Sequence, residues 1–251
     1  MTVARLTVIR DVAADGATNM DRDRDLLASH RPEHDPVLRL YRWSPPALSI
    51  GYNQDEAGFD LDAVAAAGMS IVRRPTGGRA ILHADELTYA VFGCSPGPLF
   101  GATLHETYMT INRALVSFLR GLGAEVEVSA GEPRSEAAGA VCFKSAGRHE
   151  IAVGGRKLVG SAQRRHGSCF LQHGSILAGP GHLQLPRYLV PGTPGAGLTP
   201  DNLAELTTDL SQVLGHGLTS IDLDNLEEVL AHSFAASLEL EPRFLAAGAV
   251  P

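Results

Sequence analysis

Two short segments of the chain set paired glycines beside cations, an arrangement suited to holding an anion or a carbonyl oxygen. In Arg73-Arg74-Pro75-Thr76-Gly77-Gly78-Arg79-Ala80-Ile81-Leu82-His83 the glycine pair lies between two strand-like runs. Missing side chains there let backbone N–H groups approach a ligand closely, and the neighbouring arginines supply charge for a phosphate. Alone, a Gly-Gly turn between strands is equally a plain connection. In Gly155-Arg156-Lys157-Leu158-Val159-Gly160-Ser161-Ala162-Gln163-Arg164-Arg165, Lys157 leaves a tight turn and points to one face. An exposed lysine there serves solubility; a half-buried one beside a glycine-rich loop polarises an acyl carbonyl or orients a phosphate. Cys94, Cys142 and Cys169 are far apart and form no C-x-x-C pair. The sequence therefore predicts free thiols, with neither a disulfide framework nor a structural zinc site. Each is a packing residue or, as a thiolate, a nucleophile.

Strands and helices must hold these groups in place. Val37 to Trp43 has strand composition, interrupted by Pro45-Pro46 before Leu48 to Tyr52 resumes it. A short helix over Asp60 to Ala67 stops at Gly68, and Ser70 to Arg73 and Leu87 to Phe92 read as strands. Apolar residues at helical spacing from Tyr108 to Leu122 predict a long helix, and Val126 and Val128 alternate with glutamates in a half-buried strand. Glu150 to Val153, Gly154-Gly155 and Arg156 to Val159 make a tight hairpin, with a further turn at His166-Gly167-Ser168. The run Asp21-Arg22-Asp23-Arg24-Asp25 reads as an exposed helix surface beginning near Asn19. Thr199-Pro200-Asp201 starts the first of two C-terminal helices. The sum is an α+β chain: a central mixed or antiparallel sheet flanked by helices, with residues 1–198 as the catalytic domain and 199–251 as helices packed on it.

Composition narrows the function. The 251 residues, 44% hydrophobic and 20% charged, suffice for a sizeable core. No run approaches the roughly 18 apolar residues of a spanning helix, and the first residues carry charge inside their apolar run. The expectation is a cytoplasmic protein. A net charge of -7 argues against general nucleic-acid affinity. Between Arg148 and His166, however, Arg148, Arg156, Lys157, Arg164 and Arg165 face one acid, Glu150, which predicts a local basic patch or a solvated hairpin face.

Five blocks in order resemble the superfamily of lipoate protein ligases, lipoyl and octanoyl transferases and biotin protein ligases. They are Tyr41-Arg42-Trp43-Ser44-Pro45-Pro46-Ala47-Leu48-Ser49-Ile50-Gly51-Tyr52, the Arg-Arg-x-Thr-Gly-Gly-Arg-Ala-x-x-His block, Glu86-Leu87-Thr88-Tyr89, the Gly-Arg-Lys block, and Gln172-His173-Gly174-Ser175-Ile176-Leu177. Each block is only moderately specific; their order over about residues 19 to 195 carries the resemblance. It implies a biotin/lipoate protein ligase-like catalytic domain with an apolar slot for the acyl tail beneath a central sheet. By position it assigns Arg74, Thr76, Gly77, Gly78, His83, Lys157, Ser161 and Ala162 to the acyl site, with His173 lining the pocket. Arg-Arg-Pro-Thr-Gly-Gly-Arg departs from the glycine-arginine loop of the biotin branch and favours the lipoate and octanoyl branch.

That scaffold implies two chemistries. A ligase activates a free acid with ATP and Mg as an acyl adenylate; a transferase takes octanoyl from a thioester through a cysteine. Ala140-Val141-Cys142-Phe143 resembles the Cys-Phe segment that carries the nucleophile in one octanoyltransferase class, so Cys142 is the candidate nucleophile, with Lys157 or nearby N–H groups at the oxyanion. Some lipoate ligases share such a Cys-Phe pair, which leaves packing as the other role of Cys142. Leu189-Val190-Pro191-Gly192-Thr193 lacks the late cysteine of another transferase class. The short stretch after Thr199 favours a transferase over a ligase with an added C-terminal domain. The transferase needs no cofactor. Its implied partners are octanoyl acyl carrier protein as donor and, as acceptor, a lipoyl domain of a 2-oxoacid dehydrogenase or the glycine cleavage H protein, acidic proteins that would dock on the basic run. A non-catalytic accessory protein holding lipoate or lipoyl domains is the third reading.

Overall fold

The computed structural model describes residues 4–128, 150–193 and 195–246. In its first half the chain runs through β1 (Arg5–Arg10), α1 (Gly16–Ser29), β2 (Val37–Tyr41), β3 (Ala47–Ile50), α2 (Leu61–Ala66), β4 (Ser70–Arg73), β5 (Ile81–His83), β6 (Glu86–Cys94) and α3 (Leu104–Gly121). In its second half follow β7 (Val126–Val128), β8 (Ile151–Val153), β9 (Arg156–His166), β10 (Cys169–Leu177), α4 (Pro200–Leu206), α5 (Leu210–Leu214), α6 (Ser220–Ser237) and β11 (Glu241–Leu245). An eight-stranded mixed sheet has the order β11-β1-β2-β6-β10-β9-β8-β7, and a three-stranded sheet has the order β4-β3-β5.

The large sheet is covered on both faces, which explains why β6 and β10 are nearly continuous buried runs. Side chains of a strand alternate between faces. On β6, Leu87, Tyr89 and Val91 join Ile111, Leu115 and Phe118 of α3 and Phe234 of α6 in the main core. Ala90 and Phe92, from the same strand, pack with Met20 and Leu27 of α1 on the other face. Local signals fix the helix starts. Thr103 and Glu106 form a capping box on α3, Thr219 and Asp222 form one on α6, and Asp15 caps α1.

Two turns give the second half its meander. Gly154 and Gly155 both have positive φ, +56° and +72°, as a two-residue hairpin between β8 and β9 requires. Gly167 turns β9 into β10, which places Ala162 opposite His173 and Ser161 opposite Gly174.

Several expectations are corrected. Cys94 and Cys169 are disulfide-bonded, not free. The antiparallel register sets them directly opposite at the ends of β6 and β10, with Cα atoms 3.8 Å apart, although 75 residues separate them in sequence. The charged run 21–25 is not a wholly exposed helix face: Asp23 is fully buried. Of the basic run, Arg148 lies outside the described residues, and the remaining cations do not form one face either. Lys157 is buried and paired with Glu150, Arg156 bonds Gln212, and Arg165 bonds Ser95 at the strand's far end. Strands β1 and β11, parallel neighbours, were not foreseen. Among the described residues no helix is long and apolar enough to cross a membrane.

Candidate active site

A pocket opens where β9 and β10 of the large sheet meet β3, β5 and the loop between β4 and β5. It contains about 420 Å³ of space outside the atoms, part of it open to solvent. Met20, Tyr41, Trp43 and Ile81 give it apolar walls, and Arg74, Gly78, His83, Ser161, Ala162 and His173 also line it. Six of the positions singled out in the sequence thus meet in one cavity. Thr76 is buried behind this lining, Gly77 is exposed on the loop and outside it, Lys157 lies beside it, and Cys142 lies outside the described residues.

The Gly-Gly loop is held from within by Arg74. This buried guanidinium donates to the Gly77 carbonyl at 2.8 and 3.1 Å, to the Arg79 carbonyl at 2.7 Å, and to the Ser49 carbonyl at 3.2 Å. Arg74 therefore shapes the loop through carbonyl contacts, a role its charge alone did not suggest. Gly78 has φ +90°, and its carbonyl would lie 2.0 Å from a Cβ placed on Gly51, so glycine at 51 is what lets the loop close against β3.

Beneath the loop runs a fully buried polar chain. The Thr76 hydroxyl lies 2.6 Å from His173 Nε2, and His173 Nδ1 lies 2.9 Å from Asp23 Oδ2. Asp23 also accepts from the Tyr41 hydroxyl at 2.9 Å and from Arg39, whose guanidinium bridges Asp23 and Asp11, both at 2.7 Å. Burial favours the neutral acid at Asp23, but the hydrogen bond from His173 and the charge of Arg39 outweigh it and hold the carboxyl below its ordinary range. Burial likewise pushes His173 below the ordinary imidazole value, against the pull of Asp23. A carboxylate only accepts, so Nδ1 carries the proton of a neutral ring and Nε2 accepts from Thr76.

On the opposite wall Trp43 stacks on His83, with centroids 3.8 Å apart and planes at 12°. The indole donates to Thr88 Oγ1 at 2.8 Å, and His83 Nε2 lies 2.7 Å from Ser49 Oγ. Tyr89, pushed up to about 12 by burial, keeps its proton and lies 2.6 Å from Ser161 Oγ. A Cβ on Gly174 would stand 2.5 Å from the Gly160 carbonyl and 2.7 Å from the Tyr89 ring, so the pocket floor depends on that glycine.

Lys157 is buried, and its ammonium is ion-paired with Glu150. A Cβ added at Gly160, which borders the pocket, would lie 3.0 Å from Lys157 Cε and 3.2 Å from Nζ. The missing side chain at 160 is therefore what brings the ammonium to the pocket's edge. An apolar slot bordered by a glycine loop and a desolvated ammonium suits an acyl group, its tail among the aromatic walls and its carbonyl at the cationic border.

Residues 15–235 match the family model for the lipoyl protein ligase A/B catalytic domain. The chain belongs to that family. Curated relatives of this lipoyl ligase-type domain include the octanoyltransferase LipM of Moorella thermoacetica, 47% identical over 168 residues, and that of Carboxydothermus hydrogenoformans, 43% identical over 164. The matches cover 65% and 64% of this chain and 62% and 61% of those relatives' own length. Among solved structures, T. acidophilum protein Ta0514 with bound lipoic acid superposes with a TM-score of 0.75 at 22% identity, over 98% of this chain and 90% of the other. Lipoate-protein ligase A bound with ATP gives 0.75 at 23% identity, covering 98% and 89%. These structures share the lipoyl ligase-type fold: a mixed sheet flanked by helices.

Sequence reasoning missed Asp23, Ser49, Glu150 and the wall residue Met20. Asp23 sits in a run of alternating charge that looks solvated, and nothing local distinguishes it from Asp21 or Asp25. Trp43 lay within a matched block, but its stack on His83 depends on a contact between separate elements.

Proposed function

We propose that this chain is an octanoyltransferase of the cytoplasm that moves an octanoyl group from acyl carrier protein to one lysine of a lipoyl domain or of the glycine cleavage H protein. The observation carrying the reading is the joining of an apolar-walled pocket to the Lys157 border in a chain whose curated relatives are named octanoyltransferases. In the proposed reaction the Cys142 thiolate attacks the thioester carbonyl, the carbon–sulfur bond to the carrier breaks, and the carrier thiolate leaves and takes up a proton. The acceptor amine then attacks the acyl-enzyme, an amide forms, and the amine proton ends on the released Cys142 sulfur. Lys157 and the Gly77-Gly78 loop stand at the head of the acyl group, with Thr76 beneath that loop holding His173 and Lys157 stabilising the oxyanion. Arg74 shapes that loop, and His83, Ser161, Ala162 and His173 line the slot. Amide formation from a thioester runs downhill, so this route needs neither ATP nor metal.

Intact-mass analysis after incubation with octanoyl acyl carrier protein, without ATP, tests the reading. A gain of one octanoyl group, released by hydroxylamine and absent from Cys142→Ser, is expected. No adduct, with lipoyl-domain modification only when ATP, Mg and free octanoate are added, makes the protein a ligase. Carrier binding without turnover under either condition makes it an accessory protein.

A further inference from the structure

A second cleft adjoins the acyl pocket and is built from cations. Arg74 lines both cavities; Arg24, Tyr52, Arg73, Arg164 and His166 complete the second, which contains about 650 Å³ of space, partly open to solvent. Among the described residues no carboxylate lines it. Arg24 and Arg73 are paired outside it with Asp21 and Glu56, whereas among the described residues neither Arg164 nor His166 lies within ion-pair distance of an acid. Arg164 is fixed in place: its guanidinium stacks over the half-exposed Tyr52 ring at 4.3 Å and donates to the Pro75 carbonyl at 3.0 Å. A planar guanidinium held in this way keeps its other N–H groups pre-aimed at an anion, which suits phosphate. On a protein of net charge -7 such a concentration is local.

We infer that this cleft binds the phosphate of the donor's pantetheine arm. The inference rests on the transferase reading for the identity of the donor. Whatever is bonded to the acyl carbonyl must leave the pocket through an adjoining opening, and Arg74 marks the border between the two cavities. Arg164 lies three residues along β9 from Ser161 of the pocket, roughly 10 Å at strand rise. The pantetheine arm, with cysteamine, β-alanine and pantoate units in series between sulfur and phosphate, is long enough to reach across that span. Leu27, Ala28 and Pro75 supply apolar wall for its methyl-bearing part. A folded acidic domain does not fit inside such a cleft; a thin amphipathic chain ending in a phosphate does.

Calorimetric titration of the full chain with 4′-phosphopantetheine and with pantetheine tests this without turnover. The wild-type chain is expected to bind the phosphorylated compound about tenfold tighter, the effect of one charge-assisted contact in a half-open site. Arg164→Gln should bring the ratio of the two affinities close to one, and Arg164→Lys should restore part of it. A wild-type ratio near one overturns the inference, as does a ratio that survives in Arg164→Gln. Displacement of phosphopantetheine by equimolar AMP reassigns the cleft to a nucleotide. An Arg164→Gln defect confined to the Michaelis constant for the acceptor protein reassigns it to acceptor docking. Failure of the transferase reading is separate, because it shows as absent octanoyl transfer while the binding ratio is still read.

Discussion

Replacing Asp23 by Asn removes one charge from the buried chain below the glycine loop while keeping the shape of the side chain. Asp23 accepts from Arg39, Tyr41 and His173 at 2.7–2.9 Å with no exposed surface. An asparagine offers one acceptor oxygen and turns an NH2 group toward those donors, and among the described residues Arg39 keeps only Asp11 as an ion-pair partner. Breaking a buried, hydrogen-bonded ion pair from one side costs about 3–5 kcal/mol. At about 2–4 °C per kcal/mol for a chain of this size, Tm should fall by about 6–20 °C. The sign with pH follows from the lowered carboxyl of Asp23. Its contribution is complete above the unfolded value of 3.8 and is lost as pH falls through the folded value, so the gap between wild type and variant is full at pH 7 and narrows below pH 3.8. Thermal and urea denaturation of wild type, Asp23→Asn, His173→Gln and the double variant form the assay. Coupling between the two sites should exceed about 0.5 kcal/mol, as for residues in one hydrogen-bond network. A Tm loss under about 2 °C, or additive single effects, would refute the claim that this chain is one unit.

Both His173 and His30 are held below the imidazole value by burial, His30 at about 4, so the unfolded chain protonates first. Stability should be complete above pH 6.5 and fall as pH drops through the folded values, and urea titrations of His173→Gln should show a shallower fall in that window. Gly160→Ala should displace the Lys157 ammonium, lowering the rate of acyl-enzyme formation about tenfold or more while changing stability by less than about 1 kcal/mol, because the group in the way is a flexible chain end. Equal loss of Tm and rate would count against it. Gly174→Ala, which meets backbone and an aromatic ring, should instead cost about 1–3 kcal/mol of stability. Reducing Cys94–Cys169, or replacing both by Ser, should cost about 2–4 kcal/mol in denaturant titrations; identical curves with and without reductant would contradict it.

Local signals carried much of the architecture. The Gly154-Gly155 hairpin, the helical spacing around Phe118 and the blocks near Gly77 and His173 announced their elements, because turn chemistry and periodicity act within a few residues. Pocket membership followed for Arg74, Gly78, His83, Ser161, Ala162 and His173. What stayed hidden depends on register between distant strands. Cys94 and Cys169 meet only because β6 and β10 pair in one alignment, and Asp23 is buried only because α1 lies across the sheet above His173. Lys157 looked like part of a solvated basic run because strand alternation sends Arg156 and Lys157 to different surroundings. Strand β11 carried no periodic signal: Glu241-Pro242-Arg243 is polar and interrupted, and its place is set by the free edge of β1.

That parallel pairing of β1 with β11 sets an order of events during synthesis. Residues 5–10 leave the ribosome long before their outer neighbour, residues 241–245, is made. Until then β1 has β2 on one side and bare N–H and C=O groups on the other, an edge open to pairing with another nascent chain. Emergence of residues 241–245 closes it. Disrupting residues 241–245 would therefore act first on the yield of unaggregated protein during translation, in cells and in cell-free synthesis alike, before it altered any contact in the acyl pocket.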